Sequence, residues 1–390
     1  MEIMKKTICL VLALAMALVF VTACASNGGD ANNGTDGKTL IIGGSGPLTG
    51  DNATYGTSVK QGAQIAIDEI NAAGGVNGYT FELKMEDDQS DPTAAVNAYA
   101  ALMDAGMNVS LGAVTSGACI ALNEEANKDG ILSITPSGSQ KECTQYDNCF
   151  RICFTDPAQG TYSADFISDH KLATKVAIIY DKSNDYSVGI HDTFVEEAAK
   201  KGIEIVEDQA FTDQSNTDFS AQLQAVKSSG AELLFLPIYA QEAAYILTQA
   251  DSMGLSNVVF FGVDGMDGIL EKIGENNLDL TEGVMLLTPF SADSEEENVQ
   301  SFVKKYKEAY NATPDQFAAD AYDAVYTIKA ALEKSGANTT DSDFNEKMIA
   351  AMTQIEVKGV TGTMTWSADG EPTKEAQAVI IKDGAYELYA

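Results

Sequence analysis

The feature that most constrains the fold is an alternation of strand-like and helix-like segments that occurs twice along the chain. In the first run, the short apolar segment 40–43 precedes residues 56–73, which carry one apolar stripe and stop at two glycines. The second run starts at 175–180, and its continuous apolar segments 231–236 and 258–261 are typical of strands buried on both faces. Such alternation predicts parallel sheets covered by helices on both sides.

Two runs of this kind, separated near Asp156 and Pro157, predict two α/β lobes. A body of roughly 350 residues also exceeds the usual size of one domain. In the first lobe we predict a strand over 109–114 and a helix over 116–128. After Pro289 come two amphipathic helices and then a short β-rich tail. We expect these helices to return to the first lobe and the tail to join the second.

The N-terminus predicts an exported, lipid-anchored protein. Lys5 and Lys6 precede an apolar run over 8–21, which is shorter than the roughly 20 residues that span a bilayer and fits a secretory signal. The run ends at Cys24 after small residues, which resembles the lipobox of bacterial lipoproteins. We therefore expect a signal peptide over 1–23 and a lipid on Cys24, although an ordinary signal peptide with an incidental cysteine is the plainer alternative. Residues 24–38 are rich in Gly, Asn and Asp and predict a flexible tether.

The charge of the chain excludes one class of partner. The formal net charge is −33, and nucleic acids are bound by Lys and Arg side chains that neutralise phosphates. Arg151 is the only arginine. If a ligand carries a carboxylate, backbone amides, hydroxyls and helix N-termini must bind it unless Arg151 lies at the site.

Four cysteines remain for the folded body once the signal peptide and Cys24 are set aside. Cys143 and Cys149 lie in a polar, turn-like segment, and export permits disulfides. We predict a Cys143–Cys149 disulfide. Cys119 and Cys153 either pair or stay reduced, and the sequence by itself leaves three connectivities open.

Six stretches, taken in order, resemble the leucine/isoleucine/valine-binding protein family, the type I periplasmic binding proteins of amino-acid ABC importers. The resemblance runs from about residue 40 to the end of the chain. The stretches are GSGPLTGDNATYG (44–56), GAQIAIDEINAAGGVNG (62–78), EDDQSDPTAAV (86–96), ILSITPSGS (131–139), KVAIIYDKSNDYSVG (175–189) and GVTGTMTWSADGE (359–371).

The resemblance implies an α/β fold with two doubly wound, parallel-sheet lobes that are joined by three crossovers and hold a ligand between them. The crossovers would fall near 155–157, 288–289 and 365–367. The N-terminal lobe would then comprise 39–156 and 290–364, and the C-terminal lobe 157–289 and 365–390. Some relatives join the positions of Thr115 and Gln89 by a disulfide, which these residues cannot form.

Ligands of open parallel sheets bind beyond the carboxyl ends of the strands, and five polar residues follow predicted strands: Ser116, Ser139, Tyr186, Tyr239 and Asp264. By motif they also match the ligand contacts of the family. Ser116 and the N-terminus of its helix would bind a carboxylate, and Ser137, Gly138 and Ser139 would contribute hydroxyl and backbone groups. Asp264 would bind an α-ammonium, while Tyr186 and Tyr239 would close over the ligand and Tyr55 would form an apolar wall.

Each of these residues has a plainer interpretation. Ser116 is a possible helix N-cap, Asp264 a turn residue, Tyr186 part of a surface loop and Tyr239 a packing aromatic. The coincidence of five such residues at strand ends, together with the family match, favours the binding site.

The resulting hypothesis is a monomeric binding protein on the outer face of the cytoplasmic membrane, attached to the membrane only through its lipid. It would pass a free amino acid, by family default a branched-chain one, to an ABC permease and its ATPase. A ligand-sensing ectodomain, or a binding protein for another amino acid or a small amide, is the alternative. An enzyme is disfavoured because no HExxH, GxSxG or CxxC pattern is present, and Gly44–Gly46 does not continue as a dinucleotide motif. No cofactor and no metal are expected.

Overall fold

The computed structural model describes residues 38–255, 257–374 and 376–389. The predicted signal peptide, the predicted tether up to residue 37 and the lipid on Cys24 lie outside the described residues. Within these residues no helix is both long enough and apolar enough to span a bilayer.

The first sheet is built from the N-terminal run of alternating elements. All its strand pairs are parallel, in the order β2-β1-β3-β4-β5. The strands are β1 (Lys38–Gly46), β2 (Tyr79–Asp87), β3 (Val109–Ser110), β4 (Ser133–Thr135) and β5 (Cys149–Arg151), and the helices are α1 (Ala53–Ala72), α2 (Pro92–Asp104) and α3 (Ser116–Asp129), with a 3₁₀ turn at Lys141–Thr144.

The predicted strand over 109–114 is wrong beyond its second residue. Gly112 has a φ of 66°, a left-handed conformation that turns the chain out of the sheet. A Cβ on Gly112 would also lie 2.7 Å from the Cα of Thr135. Strand β3 therefore ends before Gly112, and the chain continues from this glycine into α3.

The second run supplies the start of a second sheet. Its strands are β6 (Lys175–Asp181), β7 (Glu204–Phe211), β8 (Leu233–Leu236), β9 (Val259–Gly262) and β10 (Met285–Thr288). Its helices are α4 (Asp156–Asp169), α5 (Asp185–Lys201), α6 (Ser220–Ser229), α7 (Ala240–Ser252) and α8 (Ile269–Ile273), with 3₁₀ turns at Asp213–Ser215, Asp264–Met266 and Glu275–Thr281.

Strand β8 is buried on both faces, as its apolar run predicts. Leu233 and Phe235 pack into one hydrophobic cluster, whereas Leu234 and Leu236 pack into another on the opposite face. Because side chains alternate across a strand, a strand with helices on both sides needs apolar residues at every position. The run of four apolar residues therefore reflects burial of both faces.

The C-terminal third divides between the two lobes. Helices α9 (Glu297–Tyr310), α10 (Gln316–Ser335) and α11 (Phe344–Met352) are followed by the hairpin strands β11 (Glu356–Lys358) and β12 (Thr363–Thr365), and then by β13 (Gln377–Lys382) and β14 (Ala385–Leu388). Side chains of α10 and α11 share one hydrophobic cluster with α1 and the first sheet. Strands β13 and β14 extend the second sheet, whose order is β14-β13-β10-β9-β8-β6-β7, by antiparallel pairing.

The predicted α/β fold with parallel sheets in two lobes is confirmed. The chain leaves the first sheet after β5, leaves the second after β10 and rejoins the second at β13. The lobe boundaries given above stay a prediction.

The predicted Cys143–Cys149 disulfide is wrong. Cys119, Cys143, Cys149 and Cys153 are all free thiols and all buried. Cys143 lies in the 3₁₀ turn and its Sγ is 3.7 Å from the carbonyl oxygen of Ser116 at the start of α3. The Cys143 thiol therefore packs against α3. It is buried in the hydrophobic cluster that includes Cys119 and is not bonded to Cys149.

Candidate ligand-binding site

Residues from both lobes enclose a small cavity beyond the carboxyl ends of the two sheets. Its volume is about 10 Å³, which is close to the room that one water molecule needs. An amino acid can enter only if the lobes or the aromatic side chains around the cavity move. The lining residues are Tyr55, Val114, Thr115, Ser116, Ser137, Tyr186, Tyr239, Asp264, Gly265 and Phe317.

Four aromatic rings form most of the apolar wall. The rings of Tyr186 and Tyr239 are stacked with centroids 5.0 Å apart, and Tyr55 meets Tyr239 edge-on at 5.7 Å. On its other side Tyr55 packs against Phe317 at 4.5 Å. Tyr55 and Phe317 come from α1 and α10 of the first lobe, whereas Tyr186 and Tyr239 belong to the second. The wall therefore exists only while the lobes are together.

The Tyr55 hydroxyl joins the lobes directly. It donates a hydrogen bond to the carbonyl oxygen of Gly265 at 2.6 Å and accepts one from the backbone N–H of Ala240 at 2.9 Å. Burial raises the pKa of Tyr55 well above its usual value, so the hydroxyl keeps its proton. Tyr55 thus has a second role, that of an interlobe contact, besides the apolar wall that the sequence predicts.

Asp264 is the anionic residue that lines the cavity. It is 4% exposed, and its Oδ1 accepts a 2.6 Å hydrogen bond from the Tyr186 hydroxyl. Burial raises the pKa of Asp264 to about 6, against the hydrogen bond from the Tyr186 hydroxyl, which lowers it. Within the described part of the chain, no Lys, Arg or His forms an ion pair with Asp264. The side chain is therefore an acceptor suited to a buried cation.

The opposite side of the cavity carries hydroxyl groups at the N-terminus of α3. Thr115 is the N-cap residue and Ser116 is the first helical residue, so Ser116 is not the N-cap of the plainer interpretation. The Ser137 hydroxyl donates to the carbonyl oxygen of Val114 at 2.7 Å, whereas the buried Thr115 Oγ1 has no partner among the described residues. Hydroxyls and a helix N-terminus at this point suit a carboxylate.

Two predicted site residues, Gly138 and Ser139, lie behind the cavity wall. The carbonyl oxygen of Gly138 accepts a 2.8 Å hydrogen bond from Arg151, and that of Ser139 accepts one from the Asp156 N–H at 2.9 Å. Arg151 is fully buried and donates further to the carbonyl oxygen of Gln140. The only arginine therefore holds the loop that carries Ser137 and does not line the cavity.

Sequence reasoning missed three residues at or near the cavity. Phe317 lines it from the first turn of α10, and Gln316 donates from Nε2 to the carbonyl oxygen of Asp264 at 2.6 Å. Gln159 in α4 accepts the Asp264 N–H at 3.1 Å. These residues lie in the first turns of helices that do not directly follow a strand of the same sheet, so the rule that sites lie at strand ends does not find them.

The mouth of the cleft is strongly acidic. An outer cavity of about 480 Å³ adjoins the inner one at Thr115, Tyr186 and Tyr239. Its lining contains six carboxylates and no Lys or Arg: Asp51, Asp91, Asp181, Asp185, Asp213 and Glu242. Such a rim disfavours ligands with a net negative charge. In the described ranges, no group of three or more His, Cys, Asp or Glu side chains is arranged to hold a metal ion.

Comparison with known proteins finds relatives that match most of the chain. The sequence profile of a family described as periplasmic binding protein matches residues 39–385. Leu/Ile/Val-binding protein homolog 3 of Brucella melitensis is 31% identical over 85% of this chain and 88% of its own length. Among solved structures, the branched-chain amino acid transporter substrate-binding protein LivJ of Streptococcus pneumoniae, in complex with isoleucine, is similar with a TM-score of 0.82 and 31% identity, over 90% of this chain and 99% of its own. The leucine-binding protein LivK of Thermotoga maritima is similar with a TM-score of 0.81 and 28% identity, over 90% and 98%.

Proposed function

This chain belongs to the periplasmic binding protein family, and from that membership we propose that it captures a free amino acid, by preference a branched-chain one, for an ABC importer. The family consists of solute-binding proteins that act outside the cytoplasm. The proposal assigns the α-ammonium of the amino acid to Asp264. It assigns the α-carboxylate to the hydroxyls and the helix N-terminus at Ser116.

The observation that carries the proposal is the chemistry of the cavity lining. One side offers the buried carboxyl of Asp264, and the other offers hydroxyls at the start of α3. An α-amino acid carries a cation and an anion on the same carbon, so it complements both sides at once. The aromatic wall between them suits an apolar side chain, since no charged residue besides Asp264 lines the inner cavity.

The choice of a branched-chain ligand draws on relatives. LivJ of S. pneumoniae was solved with isoleucine and LivK of T. maritima is described as leucine-binding. A curated relative from Pseudomonas aeruginosa, 29% identical over 85% of this chain, is named for leucine, isoleucine, valine, threonine and alanine. The buried Thr115 hydroxyl, which has no partner in the described residues, offers a hydrogen-bond partner to a threonine side chain as well.

Binding would proceed by closure of the two lobes. The amino acid bridges Asp264 in one lobe and Ser116 in the other, so it gains both sets of contacts only in the closed form and shifts the population towards it. The Tyr55 hydroxyl adds two interlobe hydrogen bonds to the same form. The closed form would be the one that the permease recognises. A lipid on Cys24 would keep the protein at the membrane near that permease.

A panel of amino acids tests the proposal. The full chain with Cys24→Ala is unfolded, dialysed to remove bound ligand and refolded, and each L-amino acid is then tested by thermal shift and titration calorimetry. A ligand at 100 times its dissociation constant stabilises by about 2.7 kcal/mol, which moves the melting temperature by several degrees in a chain of this size. We expect leucine, isoleucine or valine to produce the largest shift and benzoate none.

Matched variants locate the site. Asp264→Asn should abolish the shift, whereas Lys304→Ala on the exposed face of α9 should leave it unchanged, since the Lys304 side chain is 74% exposed. If no amino acid binds the refolded wild type, the proposal is wrong. If an amino acid binds Asp264→Asn as tightly as the wild type, the site is wrong although the function stands.

A further inference from the structure

Buried polar groups without partners are concentrated directly behind Asp264. Asp156 and Gln159 are fully buried and Ser139 is 1% exposed. Neither carboxyl oxygen of Asp156, nor the Ser139 hydroxyl, nor the Nε2 of Gln159 has a hydrogen-bond partner among the residues described. Buried polar groups in folded proteins are almost always paired. The presence of several such groups at one place therefore indicates a role in ligand binding rather than in holding the fold together.

These groups connect the two sides of the binding site. The N–H of Asp156 donates to the carbonyl oxygen of Ser139, next to Ser137 in the cavity wall. One helical turn later, Gln159 accepts the N–H of Asp264. Asp156 thus stands at the start of α4, between the loop of the first lobe and the anionic residue of the second.

Among the described residues, Asp156 forms no ion pair. The positive charge that acts on it is that of Arg151, whose guanidinium nitrogens are engaged by Glu371 and by carbonyl oxygens of the 138–141 loop. Burial raises the pKa of Asp156 well above its usual value, and the charge of Asp264 adds to the shift, while Ser139 and Arg151 oppose it. Gly189 of α5 faces the carboxyl with no side chain. The other titratable groups that interact with the pair are Tyr55, Glu142, Cys143, Cys153, Tyr186, Tyr239, Asp267 and Asp320.

We propose that Asp156 holds a proton in the unliganded protein and releases it when an ammonium-bearing ligand binds against Asp264, so that binding at neutral pH is coupled to the loss of one proton. The inference rests on the proposed function, because it requires a ligand with an ammonium group. Asp156 is a positioning residue, since it does not line the cavity and acts on the ligand through its charge interaction with Asp264.

The chemistry of the step balances as a simple ionisation. In the unliganded protein, the protonated Asp156 carboxyl directs its O–H towards the neighbouring Ser139 oxygen. When the ligand brings a positive charge to Asp264, the Asp156 proton passes to the buffer and the carboxylate remains. The Ser139 hydroxyl then donates to this carboxylate. The ammonium offsets the negative charge of Asp264, which raises the pKa of Asp156 in the unliganded protein, so the Asp156 carboxylate is repelled less in the complex.

Calorimetry on the full-length Cys24→Ala chain tests this step. Leucine is titrated at pH 6.5, 7.2 and 8.0 in pairs of buffers with different ionisation enthalpies, which gives the number of protons released per ligand. This window lies above the pKa of about 6 for Asp264, so Asp264 has little proton left to lose. We expect release approaching one proton, and a dissociation constant that falls up to about tenfold per pH unit.

Two isosteric variants assign the proton. Asp156→Asn should bind more weakly at pH 8.0, release no proton and show a flat pH profile between pH 6.5 and 8.0. Asp315→Asn is the matched control, because burial also raises the pKa of Asp315, to about 7. Its side chain caps α10 by accepting the N–H of Ala318, which Asn can also do. This control should release the proton as the wild type does.

The outcomes separate the two proposals. If none of leucine, isoleucine and valine binds the wild type, the proposed function itself has failed. If leucine binds without proton release, the function stands and the inference is overturned. Release that persists in Asp156→Asn, or that disappears only in Asp315→Asn, also overturns it. Should Asp156→Asn not fold, the wild-type measurement keeps the inference falsifiable, because the absence of proton release would overturn it.

Discussion

Replacement of Asp264 by Asn should weaken ligand binding and at the same time stabilise the unliganded protein. Asn keeps the shape of the side chain and an oxygen that can accept the hydrogen bond from Tyr186. It removes the negative charge and replaces the second carboxylate oxygen by an NH2 donor. The two effects have opposite signs. The buried negative charge of Asp264 destabilises the fold while the site holds no cation, and the same charge stabilises the complex when the ligand brings an ammonium.

The stability gain follows from the shift of the Asp264 pKa. Burial moves this pKa from 3.8 to about 6, and a difference of about 2 units corresponds to roughly 3 kcal/mol. Because the pKa is higher in the folded state, ionisation destabilises the fold. The cost is absent below about pH 3.8 and complete above about pH 6. At pH 7.5 the variant should therefore be about 1–3 kcal/mol more stable than the wild type, with the difference shrinking towards pH 4.

The loss of affinity follows from the uncompensated ammonium. Removal of one partner of a buried ion pair costs about 3–5 kcal/mol, so the dissociation constant should rise by about two to four orders of magnitude. Urea unfolding of the ligand-free chain at pH 4 and 7.5, together with calorimetry with leucine, measures both effects. Binding within about threefold of the wild type, or a variant less stable than the wild type at pH 7.5, would refute the reasoning.

Other substitutions should separate closure, loop support and thiol chemistry. Tyr55→Phe removes the hydroxyl that contacts Gly265 and Ala240 and leaves the buried Ala240 N–H without this partner. The ligand dissociation rate should therefore rise about 5- to 30-fold. Stopped-flow fluorescence measures this rate, and an unchanged rate would argue against the interlobe role of Tyr55. Arg151→Lys cannot reproduce the several hydrogen bonds that the guanidinium donates to the 138–141 loop, so it should lower the free energy of unfolding by about 3 kcal/mol or more. Urea unfolding measures this loss, and an unaltered unfolding curve would contradict the supporting role of Arg151. Thiol titration of the unfolded chain should find the four cysteines between residues 119 and 153 reactive without a reductant, and fewer reactive thiols would show a disulfide.

The architecture could be predicted because it depends on local patterns that tertiary contacts reinforce. Apolar runs such as Leu233–Leu236 appear wherever a strand is covered on both faces, and glycines mark the ends of many helices. The error at 109–114 has a local cause that is only recognisable in three dimensions. Gly112 is required by the close approach of Thr135 from the neighbouring strand, and that neighbour is not adjacent in sequence.

The candidate site could be predicted in part for a related reason. Residues that follow strands, such as Tyr186, Tyr239 and Asp264, meet at one edge of a parallel sheet whatever the details of packing. Phe317 and Asp156 could not be found this way, because each starts a helix after the chain has crossed from one lobe to the other. The disulfide prediction failed because spacing does not reveal where a side chain points.

The sequence by itself determined the two α/β lobes, the strand-end residues of the cavity and the family, since each is encoded by periodicity or by ordered local motifs. Only the tertiary structure decided that Tyr55 joins the lobes, that Arg151 supports a loop from behind and that the buried Asp156 carboxyl has no hydrogen-bond partner among the described residues. The physical reason is that hydrogen bonding and burial depend on groups that lie far apart along the chain. Tyr55 and Gly265, separated by 210 positions, become partners only when both lobes have folded and met.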